Sequence, residues 1–264
     1  MRAADGTFYT LRGPHGAPVV ALIHGLGLNQ DHWQPIADTL APQFRVLTYD
    51  LHGHGQTPHP GPAPSLRTLA RQLSDLLDHI GAPQAAIVGF SLGGMIARRF
   101  AQDDPARTRT LAVLHSPHRR SAQAQDAILA RVAQAQGQGP AATVEDALRR
   151  WFTDDFRTAQ PALMNRVRAW VLANDPAIYP LYYAVFASGV EEVIAPQPAL
   201  RCPTLVITGD QDYGNDPQMA RAIAADIPGA QVHILPGLRH MALTQAPDET
   251  LAALLPFLRR TCLP

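Results

Sequence analysis

An α/β fold, with a mostly parallel, doubly wound sheet and a helical cap inserted after the sixth strand, is what this sequence predicts. The first observation is a set of short, largely apolar, β-like runs, at residues 18–23, 44–49, 85–90, 110–115, 204–208 and 231–235. The second is that helical patterns separate most of them. Strands apolar on both faces and divided by helices belong to a parallel sheet covered on both sides. The third is a break in the alternation. From about 115 to 198 the β-like runs vanish, and Gln-, Ala- and Arg-rich helical stretches replace them. The chain therefore divides into core residues 1–114, a helical cap at 115–199 and core residues 200–264.

Taken in order, the first clear strand closes on His24-Gly25-Leu26-Gly27, where two glycines permit a tight turn. The second runs into another Gly-rich turn, Asp50-Leu51-His52-Gly53-His54-Gly55. Residues 66–80 carry apolar side chains at 66, 69, 70, 73, 76, 77 and 80, a 3.6-residue stripe that Gly81 closes as a C-cap. Strand 85–90 delivers Gly89-Phe90-Ser91-Leu92-Gly93-Gly94, and residues 95–101 read as helix. Strand 110–115 opens onto Ser116-Pro117-His118-Arg119-Arg120. Helices at 122–136, 144–152, 162–172 and 178–186 then form the cap, with a loop at 137–140. Aromatic side chains crowd this segment, where they pack the layer onto the core and give it the material to roof a pocket. Strand 204–208, a helix at 218–225, strand 231–235, a loop at 236–240 and a helix at 250–258 complete the chain.

Composition excludes several functions. Lys plus Arg and Asp plus Glu both total 22, so no global field draws the chain to nucleic acid or an anionic membrane. All the basic residues are arginine, which rules out Schiff-base chemistry on a lysine. No window holds 18 consecutive apolar residues, and 1–6 lack the apolar core of a secretory signal. Cys202 and Cys262 do not make a disulfide framework, so the cytoplasm is the expected compartment, with a bridge between the two left open.

The chemistry concentrates where parallel strands end, since sites in open α/β sheets lie at that edge. Gly89-Phe90-Ser91-Leu92-Gly93 is a G-x-S-x-G pattern set between a strand and a helix. So sharp a turn strains the serine backbone, demands small neighbours, and lifts the hydroxyl above the sheet. It also places the N–H of Leu92 at a helix N-terminus, aimed at a developing oxyanion. A serine needs a base, and the base needs an orienting carboxylate. His240 alone among eleven histidines follows the final strand. Asp212 follows strand 204–208 in Gly209-Asp210-Gln211-Asp212, with Asp210 and Asp216 as competitors. The other common place for the acid, after the strand ending near His115, carries no carboxylate. The N–H of Leu26 is the candidate partner of Leu92 in the oxyanion hole, while His24 braces its loop. His52, His54 and His59 superficially suggest a metal site, but no acidic or Cys ligand completes the set, and no metal or other cofactor is expected.

Nearly the whole chain, from HGLG through GFSLGG and GDQD to GLRHM, resembles an α/β-hydrolase, and the order Ser91, Asp212, His240 is that of its catalytic triad. Within that superfamily it looks most like the 3-oxoadipate enol-lactonase group. The run from Trp33 to Gly55, the Gly89–Ile96 segment and Trp151-Phe152-Thr153-Asp154-Asp155-Phe156 carry the likeness. Two stretches depart from it. His52 and Thr57 stand where such turns usually have Arg and Ser, and His-Ser-Pro-His-Arg-Arg replaces a small-residue N-T-A stretch after the strand ending near 115.

The resemblance implies a cofactor-free serine hydrolase acting on a small-molecule ester or lactone. Trp33, His115, His118, Arg119 and Arg120 are the candidate substrate contacts, the two arginines by pairing with a substrate carboxylate. Carbon–carbon bond hydrolysis and cofactor-free perhydrolysis on the same triad are the alternatives, and a ligand receptor on this fold is a remote one. Dehalogenase and epoxide hydrolase chemistry is disfavoured, because those relatives place Asp where this chain has Ser91.

Overall fold

The computed structural model describes residues 1–61 and 63–263, so Pro264, the end of the last expected segment, lies outside the described residues. Seven strands form one sheet: β1 (Tyr9–Arg12), β2 (Val19–Ile23), β3 (Arg45–Tyr49), β4 (Ala85–Phe90), β5 (Thr108–Leu114), β6 (Thr204–Gly209) and β7 (Gln231–Leu235). Their order is β1-β3-β2-β4-β5-β6-β7, with β1 antiparallel to β3 and every other pair parallel.

Side-chain alternation sends Val19, Ala21, Ile23, Ile87 and Val113 to one face and Val20, Leu22, Val88, Ala112 and Ile207 to the other. The first face packs against α2 (Leu66–His79), α3 (Leu92–Asp103) and α9 (Pro217–Ala225). The second packs against α1 (Gln34–Leu40), α10 (Ala242–Gln245) and α11 (Pro247–Cys262). Burial on both faces is why these strands are apolar without alternation. The exposed start of β7 marks it as an edge. Its polar residues Gln231 and His233 suit that place.

Helix α2 follows its apolar stripe. Ser65 accepts from the Thr68 N–H while Thr68 Oγ1 accepts from the Ser65 N–H, a reciprocal capping box. Gly81 closes the helix at φ +67°, a conformation an L side chain resists. Between β5 and β6 the described residues form only helices and turns: α4 (Ala122–Gln138), α5 (Val144–Trp151), α6 (Asp154–Ala159), α7 (Pro161–Leu172) and α8 (Tyr179–Ser188). Gly137 belongs to α4 and not to a loop, and residues 139–142 make a 3-10 turn.

One expectation needs correcting. The helical segment leaves from the expected strand, but that strand is the fifth in chain order, not the sixth. Only β1 precedes β2, because residues 2 and 8 meet in an isolated bridge without building a further strand.

The sheet order reverses between β2 and β4, its topological switch point. Ile23 pairs with Gly89 there, so the turns after the two strands emerge side by side. A crevice opens at such a point, and ligands bind in it.

Candidate active site

Ser91 sits between β4 and α3 at φ 57°, ψ −116°, a strained conformation for a residue with a side chain. The turn closes only because its neighbours lack Cβ atoms. A Cβ on Gly89 would collide with the carbonyl of Gly93, and one on Gly93 with the carbonyl of Ile23. A Cβ on Gly94 would come within 2.6 Å of Ser116 Cβ. Ser116 Oγ in turn donates to the Ser91 carbonyl at 2.9 Å. Leu92 is the first residue of α3, so its N–H has no partner within the helix. Leu26 lies in the turn after β2 and lines the same cavity as Ser91.

The structure brings Ser91, His240 and Asp212 together. His240 Nε2 lies 3.2 Å from Ser91 Oγ, and His240 Nδ1 lies 2.8 Å from Asp212 Oδ2. Asp212 Oδ1 accepts the N–H groups of Gly214 and Asn215 at 3.2 and 3.1 Å. Burial alone would raise the Asp212 carboxyl, but the imidazoles of His240 and His115 and their hydrogen bonds prevail and hold it well below the usual carboxylate range. Asp210 and Asp216 are engaged elsewhere. Asp210 accepts from the Gly237 N–H, and Asp216 caps α9 through the Met219 N–H.

His24 spans two loops. Its Nε2 accepts the Leu51 N–H at 3.0 Å, and its Nδ1 lies 2.8 Å from the Gly25 carbonyl. Asp50 joins the same loops by accepting the N–H groups of Gln30 and Gln56, both at 2.8 Å. His52, His54 and His59 turn to separate partners, namely Asp5, the His52 carbonyl and Tyr182 Oη. Among the described residues, only His115, Asp212 and His240 converge closely enough to hold a metal ion, and their facing atoms are already hydrogen-bonded to one another. Cys202 and Cys262 are both free. No helix among the described residues is long and apolar enough to cross a membrane.

A cavity of about 630 Å³ opens above Ser91 and His240, walled by α4, α5, α8, α9 and the turns after β2, β5 and β6. Of the expected substrate contacts, His118, Arg119 and Arg120 line it. His118 pairs with Asp226 at 3.1 Å, and the exposed Arg119 pairs with Glu191 at 3.4 Å. Arg120 donates to the Phe186 and Ala187 carbonyls. Trp33 and His115 do not line the cavity, which corrects that expectation. Trp33 is wholly buried in the core on the α1 side of the sheet. His115 is wholly buried beside Asp212, with Nδ1 2.9 Å from Oδ2.

Sequence reasoning missed Arg131 and Arg150, which also line the cavity. Burial, with repulsion from Arg131, pushes Arg120 down to about 10 and lowers Arg150 as well. None of the three is ion-paired to a carboxylate among the described residues, and Arg131 Nε donates to Tyr183 Oη at 3.2 Å. The signal was available on the helical wheel. Arg131 shares a face with Ile128, Val132 and Ala135, the buried positions of α4.

With this geometry in place, likenesses to known proteins carry weight. The family model for the alpha/beta hydrolase fold matches residues 18–247. An (E)-2-((N-methylformamido)methylene)succinate hydrolase from Acinetobacter baylyi is 26% identical over 93% of this chain and 92% of its own. 3-Oxoadipate enol-lactonase 1 of the same organism is 30% identical over 76% of this chain and 74% of its own. The crystal structure of an enol-lactonase from Burkholderia xenovorans superposes with a TM-score of 0.89 at 26% identity, covering 96% of this chain and 97% of that one. The chain belongs to the α/β-hydrolase fold family.

Proposed function

We propose that this chain is a serine hydrolase that cleaves a carboxylic ester or lactone whose substrate carries an anionic group, with the helical segment 115–199 acting as its cap. The supporting observation is the chain of short contacts from Ser91 through His240 to Asp212 at the floor of a roofed cavity. Ser91 Oγ attacks the carbonyl carbon and its proton passes to His240 Nε2. Asp212 accepts the Nδ1–H, fixing the tautomer and stabilising the imidazolium. The N–H groups of Leu26 and Leu92 hold the oxyanion, each contributing about 3 kcal/mol of barrier lowering. Collapse expels the alkoxide, which takes the proton from His240, and water then cleaves the acyl-enzyme by the same route.

The anionic preference rests on Arg120, Arg131 and Arg150, three guanidinium groups lining the cavity without an ion-paired carboxylate among the described residues. A substrate carboxylate supplies that charge and the bidentate geometry arginine favours. The two curated relatives, by name a succinate-derivative hydrolase and an oxoadipate enol-lactonase, point the same way.

The test is steady-state turnover of short-chain p-nitrophenyl esters and a lactone panel, neutral and carboxylate-bearing. Carboxylate-bearing substrates are expected to show the higher kcat/KM, and Ser91→Ala to lose about a millionfold of kcat. Turnover retained in Ser91→Ala removes the mechanism. Equal kcat/KM for neutral and anionic substrates removes the substrate class alone.

A further inference from the structure

The acid of the triad is shared between two imidazoles. His115 Nδ1 and His240 Nδ1 approach the same oxygen, Asp212 Oδ2, at 2.9 and 2.8 Å, while Oδ1 is filled by two backbone N–H groups. An ionised carboxylate only accepts, so His115 must carry its proton on Nδ1. Thr208 Oγ1, 3.4 Å from that nitrogen, spends its own proton on the Asn215 carbonyl at 2.6 Å and so is left as a second, weaker acceptor. The Nε2 of His115 is then a bare lone pair, buried and without a partner among the described residues.

Three features set His115 apart from ordinary core filling. Its side chain is 0% exposed, where an apolar residue would fill the space without stranding a nitrogen. Its φ is +49°, and Ser91 and Ala195 are the only other non-glycine residues with positive φ among those described. Strain of this kind persists only where the surroundings over-determine it. Its ring also packs edge-on against His240 at 5.7 Å and lies tilted against Phe90 at 5.8 Å, next to both the base and the nucleophile turn.

We infer that His115 is a positioning residue: its Nδ1–H anchors Asp212 on the axis of His240 and draws charge from the oxygen the two imidazoles share. This rests on the triad reading proposed above. Burial pushes the His115 imidazole down, against the pull of Asp212, so it acts as a neutral donor. The titratable groups facing it are Asp212 after β6, His240 after β7 and His32 on the 3-10 turn at Gln30–Trp33, with Arg98 of α3 beyond Ser116. Removing the donor leaves the full charge of Oδ2 facing His240 Nδ1, strengthening that one pair, and leaves Asp212 without one of its anchors.

The test is phosphonylation of Ser91 by diisopropyl fluorophosphate across pH. The Ser91 Oγ–P bond forms, the P–F bond breaks, fluoride leaves and the hydroxyl proton goes to His240, so the rate reports the base without substrate specificity. In His115→Phe, with the fold checked by thermal melting, the acid limb is expected to move up by about half to one pH unit and the plateau rate to fall about tenfold. His115→Asn keeps a donor near the Nδ1 position and tolerates positive φ, and is expected to restore both. If the Phe variant does not fold, His115→Ala takes its place. An unmoved acid limb in a folded, labelled variant overturns the inference alone, as does an Asn variant that behaves like Phe. Absence of Ser91 labelling in folded wild type overturns the triad reading and this inference with it.

Discussion

Lowering the pH from 7 to 5 removes much of this protein's stability, because three histidines are buried as neutral rings. His24, His32 and His54 are at most 2% exposed. Burial pushes His24 down to about 4, partly offset by its bond to the Gly25 carbonyl. Burial with repulsion from neighbouring imidazoles pushes His32 and His54 to about 3. An ordinary imidazole titrates at 6.5, so between pH 6.5 and these folded values the unfolded chain binds more protons. Stability is complete above that range and is lost as pH falls through it. Between pH 7 and 5 each ring accounts for about 2 kcal/mol and the three together for about 6 kcal/mol. That is a large part of the 5–15 kcal/mol typical of a folded protein. Asp212 plays no part in this window, since a depressed carboxyl loses its contribution only below about pH 4. Urea unfolding followed by tryptophan fluorescence at both pH values, at constant ionic strength, measures the drop. A loss under about 2 kcal/mol, with an unchanged denaturant slope, refutes the claim that these rings are buried and neutral.

Other perturbations probe the site and its frame. Gly93→Ala drives a Cβ into the Ile23 carbonyl and should cost about 1–3 kcal/mol, read as a lower melting temperature with impaired Ser91 labelling. Asp212→Asn should lower kcat about ten-thousandfold with little change in folding, measured on the preferred ester. Arg131→Gln should raise KM about tenfold for a carboxylate-bearing ester and leave a neutral ester unchanged, the split that separates charge recognition from damage to the fold.

The parts of the fold legible in the sequence were those governed by local pattern. β2 to β6 are apolar on both faces, and α2 advertises itself by its stripe and by Gly81. β1 was missed because Tyr9–Arg12 is a short edge strand whose partner, β3, lies some 35 residues away. Its pairing is a tertiary fact with almost no local signature. The ends of α4 and α11 were also misjudged. Gly137 stays helical inside α4, and α11 runs through Pro256 and on to Cys262, because packing overrides propensity at those positions.

At the site, turn chemistry singled out Ser91, Asp212 and His240, since each follows a strand that the sheet brings to one edge. Side-chain direction was not legible. His115 reads as a pocket residue by position, yet its left-handed backbone turns the ring beneath the pocket onto Asp212. The helical wheel puts Arg131 on the buried face of α4, but only the packing of α4 against α8 turns part of that face toward a cavity.

The central claim is that Ser91 becomes acylated. Rapid acid quench of wild type with an activated short-chain ester, followed by intact-mass and peptide mapping, tests it directly. The account predicts one added acyl group, mapped to the peptide containing Ser91 and absent in Ser91→Ala. Full turnover with no adduct at Ser91, or an adduct that persists in Ser91→Ala, contradicts it.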